Sequence, residues 1–383
     1  MRAYEQTHPW LSFRFDPRQV PGTVWIRLGE ATALARRLHQ AALSAREGDL
    51  VRYIAMLRGV VANAALDGNT LGEDQVDRLL EGSLQLPPSQ VFLEREIRNL
   101  VKAVAWVEAR ARAGDRDSGA WTLQVLNAQV IKETGEDLAG NAPGEYRTVR
   151  HANPTEGVQP EDIPPLGERL QGWMASPMFH PEHTEEQGPM AIIGAVLAHL
   201  YLLWIAPFPG GNGRTARLVG FQLLLQAGFP AVAAHRLVMH AAATRHEYER
   251  QIAHAARPGG DPIPFIAYMA HGFADGMQAL CDEVDHAQYL LLAEGDLHRI
   301  LDRDGLPAAD RLLALAKGIR AQDGWVATAR ITRLTPDLAH HYARLHAKTL
   351  QRDLAELEEL GLVERRRGTV RAKPLVLRPF AAV

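Results

Sequence analysis

The sequence predicts a mainly α-helical protein with a smaller module of helices and short strands at its C-terminus. Three observations carry this reading. Apolar residues recur at three- and four-residue spacing through most of the chain up to Leu301. Alternating strand-like runs are scarce before the C-terminus, the exception being residues 144–150. Charge divides the chain in the same place. From Gly305 onward there are 14 Lys and Arg against 8 Asp and Glu, and the preceding residues carry 28 against 37. A basic segment attached to an acidic body implies a different partner for each.

Taken in order, Leu28–Ser44, Leu50–Leu66, Gln75–Gly82, Phe92–Arg112 and Trp121–Thr134 read as helices by apolar periodicity. Gly144–Arg150 is a short alternating run between Gly, Pro and Asn clusters and reads as part of a β-hairpin. Pro154–Pro165 mixes acidic residues with prolines and reads as loop. Helices resume at Leu166–Ser176, Met190–Ile205, Thr215–Ala227 and Ala241–Ala256. After a Pro/Gly loop at 258–264, Pro264–Leu301 reads as one long helix, and Asp302–Pro307 as a linker. These elements suggest an N-terminal helical region over 1–110, a core over 111–285, a helical linker over 286–307 and a terminal module over 308–383. At 383 residues the chain is long enough for two or three domains.

Composition narrows the classes. A single cysteine, Cys281, excludes an internal disulfide framework and fits a reducing cytoplasmic setting. No basic stretch followed by an apolar core opens the chain, so a secretory signal is not expected. Met190–Phe208 approaches the roughly 20 apolar residues of a membrane span. Pro207 and Pro209 end it and a polar turn follows, which favours a buried helix at the centre of a helical domain.

The chemistry concentrates in Ala206-Pro-Phe-Pro-Gly-Gly-Asn-Gly-Arg-Thr-Ala-Arg217. A glycine-rich turn that opens a helix presents unpaired backbone N–H groups and the positive end of the helix dipole to an anion. Gly211 and Gly213 allow close backbone approach, and Arg214 and Arg217 supply forked donors suited to phosphate. By itself such a stretch is equally an ordinary capped turn with two arginines.

The same stretch resembles the active-site loop of the Fic family, patterned His-Pro-Phe-x-(Asp/Glu)-Gly-Asn-Gly-(Arg/Lys)-x-x-Arg, which transfers AMP from ATP onto a protein hydroxyl. Pro207, Phe208, Gly211, Asn212, Gly213, Arg214 and Arg217 match; Ala206 and Gly210 depart. The resemblance covers residues 22–280. It implies a Fic-type helical bundle with a small β-hairpin flap at 144–150 that holds the target segment by strand addition. It also implies that Asn212 and the glycine amides cradle phosphates, and that Arg214 and Arg217 contact the outer ones. Ala62–Leu71 resembles the family's inhibitory helix, patterned (Ser/Thr)-x-x-x-Glu-(Gly/Asn). Asp67 would stand for its glutamate and Asn63 for its hydroxyl residue, both departures, and Asp67 would pair with Arg217 in the inhibited state. Read locally, Asp67–Thr70 is also a turn that ends one helix and caps the next.

The resemblance makes the two departures informative. The family's histidine takes the proton from the target hydroxyl, and Ala206 cannot. Its acidic residue holds Mg²⁺, and Gly210 offers only a carbonyl. Loss of the base alone removes about 10²–10⁴-fold in rate. His199, seven residues upstream, reads as a core histidine rather than a substitute base, and His180 and His183 as loop residues without metal-ligand spacing.

Residues 308–383 resemble a winged helix: helical patterns at Asp310–Gln322, Asp337–Leu345 and Thr349–Gly361, then short strands around Leu362-Val363 and Thr369-Val370 bracketing a basic turn. In that arrangement Lys348, Gln351 and Arg352 would face DNA, and Arg365, Arg366 and Arg367 would follow its phosphates. A protein-binding or dimerising role is the open alternative. The expected protein is thus a Fic-type adenylyltransferase silenced at Ala206, using ATP, and Mg²⁺ if active, toward a target protein. The competing expectation is an inactive, nucleotide-sensing, DNA-bound regulator; a homodimer held silent is a third.

Overall fold

Helices dominate the computed structural model, which describes residues 3–117, 119–136, 138–150, 157–257, 260–303, 308–322 and 324–373. In chain order they are α1 (Ala3–Thr7), α2 (Gly22–His39), α3 (Ala45–Leu66), α4 (Glu73–Leu80), α5 (Val91–Arg112), α6 (Ala120–Val130), α7 (Ile163–Met174) and α8 (Thr184–Ile205). There follow α9 (Asn212–Gln226), α10 (Ala231–Ala243), α11 (Arg245–Ala255), α12 (Ile263–Arg303), α13 (Ala309–Arg320), α14 (Pro336–Tyr342) and α15 (Ala347–Glu359). The described strands are short: β1 (Val326–Ala327), β2 (Val363–Arg366) and β3 (Thr369–Ala372). The chain divides into two compact units, Met1–Val284 and Asp285–Val383. The helices before residue 110 share one hydrophobic core with those after it, so unit 1 has no division there.

At the centre of unit 1 is α8, whose stretch from Pro189 to Ile205 is apolar on every face and accordingly almost wholly buried. By length and composition it could cross a membrane, but 89% of its apolar window is buried within the protein. On one side α9 packs closely, because Gly220 brings its backbone near Ala195; a Cβ there would sit 3.4 Å from the Ala195 carbonyl. On α3, Gly59 faces the His235 imidazole of α10, and a Cβ would overlap that ring. The absence of a side chain at Gly59 therefore sets how near α3 lies to α10. Both contacts matter for the site, since α3, α8 and α9 carry its residues.

Several sequence expectations shift. The first long helix ends at His39 rather than Ser44, because Ser44 opens α3 through a capping box with Glu47 (Glu47 N to Ser44 Oγ 3.3 Å, Ser44 N to Glu47 Oε2 3.1 Å). The single helix expected over 241–256 is two, α10 and α11, broken at Thr244, whose hydroxyl donates to the His240 carbonyl (2.7 Å). Pro164 and Pro165, expected in a loop, fill the first turn of α7, where the missing N–H groups cost nothing. No strand forms over 144–150. Arg147 N donates to the Pro207 carbonyl (3.0 Å), which ties the segment to the loop at one point instead of to a ladder partner. The return arm of the expected hairpin falls on 151–156, outside the described residues. Much of the expected linker, 304–307, lies outside them too, and α12 runs on to Arg303.

Unit 2 packs α13, α14 and α15 on an antiparallel sheet of order β1-β3-β2, with Val363 opposite Ala372 and Val326 opposite Val370. Leu312, Leu315, Ile319, Ile331, Leu338, Leu354, Leu357 and Val370 form its core. One acid lies among them. Asp353 of α15 is fully buried and accepts from Arg311 (Nε 2.7 Å, Nη2 3.0 Å) and from the Tyr342 hydroxyl (2.7 Å).

Candidate functional site

The loop between α8 and α9 is shaped by its own side chains. Asn212 spans it: its Oδ1 accepts from Phe208 N (2.9 Å) and its Nδ2 donates to Phe208 O (2.7 Å). Gly211 takes a left-handed conformation (φ +69°) with Ile131 packed where a Cβ would lie, so a side chain is excluded twice over. From α6, buried Asn127 donates to the Gly210 carbonyl (2.9 Å) and to the Thr215 hydroxyl (3.2 Å). The first backbone bond of α9 runs from Thr215 N to Gly211 O (3.0 Å). The amides of Asn212, Gly213 and Arg214 are thereby left without intrahelical partners, as at any helix start. Asn212 thus serves the shape of the turn, and the anion-facing groups are these amides and the two arginines.

Ala206 sits at the end of α8 in the left-handed region (φ 45°, ψ 64°), a conformation that disfavours alanine. It is held there by Arg147. The buried Arg147 guanidinium donates from Nε to the Ala206 carbonyl (2.7 Å), from Nη1 to Val149 O (3.2 Å) and from Nη2 to Val158 O. Burial pushes the Arg147 pKa below the usual arginine range. Beside it, the Tyr146 ring lies 5.5 Å from that of Phe208, which is fully buried.

The two arginines of α9 do not face open solvent. Arg217 is buried and donates from Nε to Asn63 Oδ1 (2.6 Å) and from Nη2 to Asn63 O (3.1 Å) and Asp67 Oδ1 (2.6 Å). Burial works against its charge, and Asp67 and the Tyr248 hydroxyl favour it, leaving its pKa raised. Arg214, equally buried, donates from Nε to Asp67 Oδ2 (3.1 Å). Asp67, the C-cap residue of α3, therefore bridges both. Gly213 leaves the room for this: a Cβ there would stand 2.8 Å from Asp67 Oδ1. Arg214 meets two further carboxylates, Glu96 of α5 (Nη1 to Oε1 3.6 Å) and Glu136, which is bonded to Nη2. Glu96, Glu136 and Arg147 escaped sequence reasoning, since they converge on the loop only in three dimensions.

His199 shares a hydrogen bond with the Tyr248 hydroxyl (2.7 Å) and lies within the core. Burial, aided by the Arg217 charge, pushes its pKa down to about 3, and burial pushes Tyr248 up to about 12. His180 bonds the Met174 carbonyl (3.1 Å), and His183 precedes the first turn of α8.

The groups around residue 210 are engaged with one another. The Gly210 carbonyl is taken by Asn127, the nearest carboxylate, Glu136, is paired with Arg214, and no cluster of three His, Cys, Asp or Glu able to hold a metal occurs among the described residues.

In unit 2 the expected DNA-facing residues separate into two groups. Gln351 accepts from Arg365 (2.9 Å), Arg365 also pairs with Glu358 (3.8 Å), and Arg366 pairs with Glu364 (3.4 Å) and lies over the Trp325 ring. Lys348 and Arg352 on α15 and Arg367 in the β2–β3 turn are exposed and carry no ion pair among the described residues.

Residues 120–224 match the Fic/DOC family. The chain is 26% identical over 242 residues to the protein adenylyltransferase fic-1 of Caenorhabditis elegans, covering 62% of this chain and 43% of that protein. It is also 26% identical over 228 residues to the protein adenylyltransferase Fic of Nematostella vectensis, covering 56% and 46%. The match spans less than half the length of these curated relatives. Among solved structures, a Fic family protein from Desulfovibrio desulfuricans G20 superposes with a TM-score of 0.54 at 19% identity, covering 94% of this chain and 98% of that one. A Fic-1 segment from C. elegans does so with a TM-score of 0.54 at 21% identity, covering 68% and 72%. At these identities the structures establish the fold, and the sequence match establishes that this chain carries a Fic/DOC family domain over residues 120–224.

Proposed function

We propose that the chain is a Fic-type protein adenylyltransferase scaffold that binds ATP through the loop 206–217, is restrained by α3, and is silent in transfer because Ala206 replaces the general base. The observation that carries this is the hold of Asn63 and Asp67 on Arg217, since both phosphate-type arginines of the loop are met by α3. In this reading ATP competes with Asp67 for them, the amides of 212–214 hold phosphate oxygens, and a protein target lies along the extended segment 145–150, where Val149 is exposed. Among the described residues, the nearest histidine in sequence does not take over proton transfer. His199 is buried, and a base with a pKa near 3 is too weak at neutral pH to remove a hydroxyl proton. Calorimetric titration with ATP tests the site. Binding is expected to tighten in Asp67→Ala and to weaken by at least roughly ten-fold when Arg217→Ala is added, as for loss of a charge-assisted bond. Equal affinity with and without Arg217 would overturn its role.

The distribution of charge along α15 favours a second reading alongside the first: unit 2 is a winged-helix module that binds duplex DNA. Its N-terminal half carries Lys348 and Arg352, and its acids Glu356, Glu358 and Glu359 lie at the other end. In helix-turn-helix proteins the N-terminal residues of the second helix reach the bases. Arg330, Arg333, Arg344 and Arg367 are further exposed cations of this unit. Duplex binding measured across salt concentrations should show a steep log–log slope. Replacing Arg367, in the phosphate-following turn, by alanine should lower that slope by about 1, and replacing Lys348 and Arg352 should weaken binding by about 1–3 kcal/mol each. An unchanged slope would refute DNA contact by this face.

A further inference from the structure

Arg214 is countered by more carboxylate than one restraining helix supplies. Its side chain is only 5% exposed and faces three acids from three parts of unit 1: Asp67 ending α3, Glu96 within α5, and Glu136 beyond α6. Asn69 Nδ2 donates to Glu96 Oε2 (2.8 Å), while burial pushes that carboxyl up. Glu136 Oε1 accepts from Thr134 Oγ1 (3.2 Å), which fixes it from its own segment. Glu136 reaches Arg214 across residue 210. A Cβ on Gly210 would overlap the Glu136 carboxylate and stand 3.2 Å from its Cδ. The glycine in the loop and the acid beyond α6 are therefore two halves of one arrangement.

We propose that Glu136, seated over Gly210, is a second restraint on nucleotide binding that holds Arg214 independently of α3 and Asp67. This rests on the reading of the loop as a site for a nucleoside polyphosphate. A phosphate oxygen and a carboxylate compete for the same guanidinium, and a bound carboxylate keeps the arginine out of the competent state. With Asp67, Glu96 and Glu136 set against Arg214 and Arg217, the cluster carries one negative charge in excess when all are ionised. Removing Asp67 frees Arg214 Nε and one N–H of Arg217 Nη2, whose other bond to Asn63 O remains, yet leaves Arg214 Nη2 with Glu136. The two restraints act on one equilibrium, so their effects on apparent affinity multiply through the fraction of open sites.

Two substitutions probe Glu136 from opposite sides. Glu136→Gln removes the charge and keeps the shape. Gly210→Ala leaves every charge in place and displaces the carboxylate sterically; the backbone at 210 lies outside the left-handed region, so alanine is admitted. The full chain, these variants, Asp67→Ala and Asp67→Ala with Glu136→Gln are titrated calorimetrically with ATP, with and without Mg²⁺, after thermal melts establish folding. Glu136→Gln and Gly210→Ala should each tighten ATP binding by roughly ten-fold, a common size for such coupling. Glu136→Gln should add the same factor on top of Asp67→Ala. If Asp67→Ala binds ATP and Glu136→Gln adds nothing, the second restraint is wrong and the nucleotide site stands. If Glu136→Gln weakens binding only when Mg²⁺ is present, Glu136 is a cation ligand and the proposal falls. If no variant binds ATP, the site and the restraint fall together. Should Gly210→Ala not fold, Glu136→Gln alone decides between these outcomes.

Discussion

Ala206→His should raise transfer of labelled AMP to protein by about 10²–10⁴-fold over the chain as it stands, the usual contribution of a positioned general base. The backbone is already suited to it. Ala206 holds φ 45° and ψ 64°, a region that alanine avoids and in which histidine is several-fold enriched among non-glycine residues. Arg147 holds that conformation through the Ala206 carbonyl, a contact that does not involve the side chain at 206. The assay uses labelled ATP, Mg²⁺ or Mn²⁺ and a cell lysate, with Ala206→His alone and combined with Asp67→Gly. The combined variant should exceed the single one, because Asp67 otherwise occupies Arg214 and Arg217. The rate should rise with pH through about 6.5, since only the neutral imidazole accepts a proton. Absence of label even in the combined variant, under conditions where it binds ATP, would leave the loop as a nucleotide sensor without transfer chemistry.

What could be read along the chain was whatever lies close together in it. The loop from Pro207 to Arg217 announces itself because a helix start, glycines and two arginines fall within eleven residues. Asp67 was legible through the family resemblance, though its bridging of both arginines was not, since that depends on Gly213 having no Cβ. Glu136 and Glu96 gave no local signal: one follows α6 in a turn, the other is one of several acids along α5, and only packing brings them to Arg214. Residues 144–150 show the opposite limit. Their alternation is that of a strand, but period-two patterning reports an extended chain with two unlike faces and says nothing of a ladder partner. Here the segment spends the Arg147 N–H on the loop. The same limit hid α10, whose apolar pattern continues across Thr244 into α11, so the break was invisible to periodicity.

The buried acid of unit 2 supplies the largest stability effect we expect. Asp353→Ala should destabilise this unit by about 3–5 kcal/mol, the typical cost of removing one partner from a buried pair. Asp353 has no exposure, Arg311 little (19% for its side chain), and the Tyr342 hydroxyl donates to the same carboxylate. Without the acid, a largely desolvated guanidinium and a phenol lose their acceptor together. Because small domains are stable by only about 5–15 kcal/mol, a loss of this size can unfold a module of this length. Asp353→Asn keeps the volume and one acceptor oxygen, so it should cost less; Asp353→Leu with Arg311→Met replaces the pair by apolar contact and should recover most of the loss. Hydrogen exchange read by mass spectrometry over 309–372 distinguishes these cases, with faster exchange expected for alanine and near-native protection for the double replacement. Unit 1 has a separate core, so ATP affinity should be unchanged in all three variants. A parallel loss of ATP binding would show that the two cores do not fold independently, whereas unaltered protection in Asp353→Ala would mean that water or another donor set already solvates Arg311.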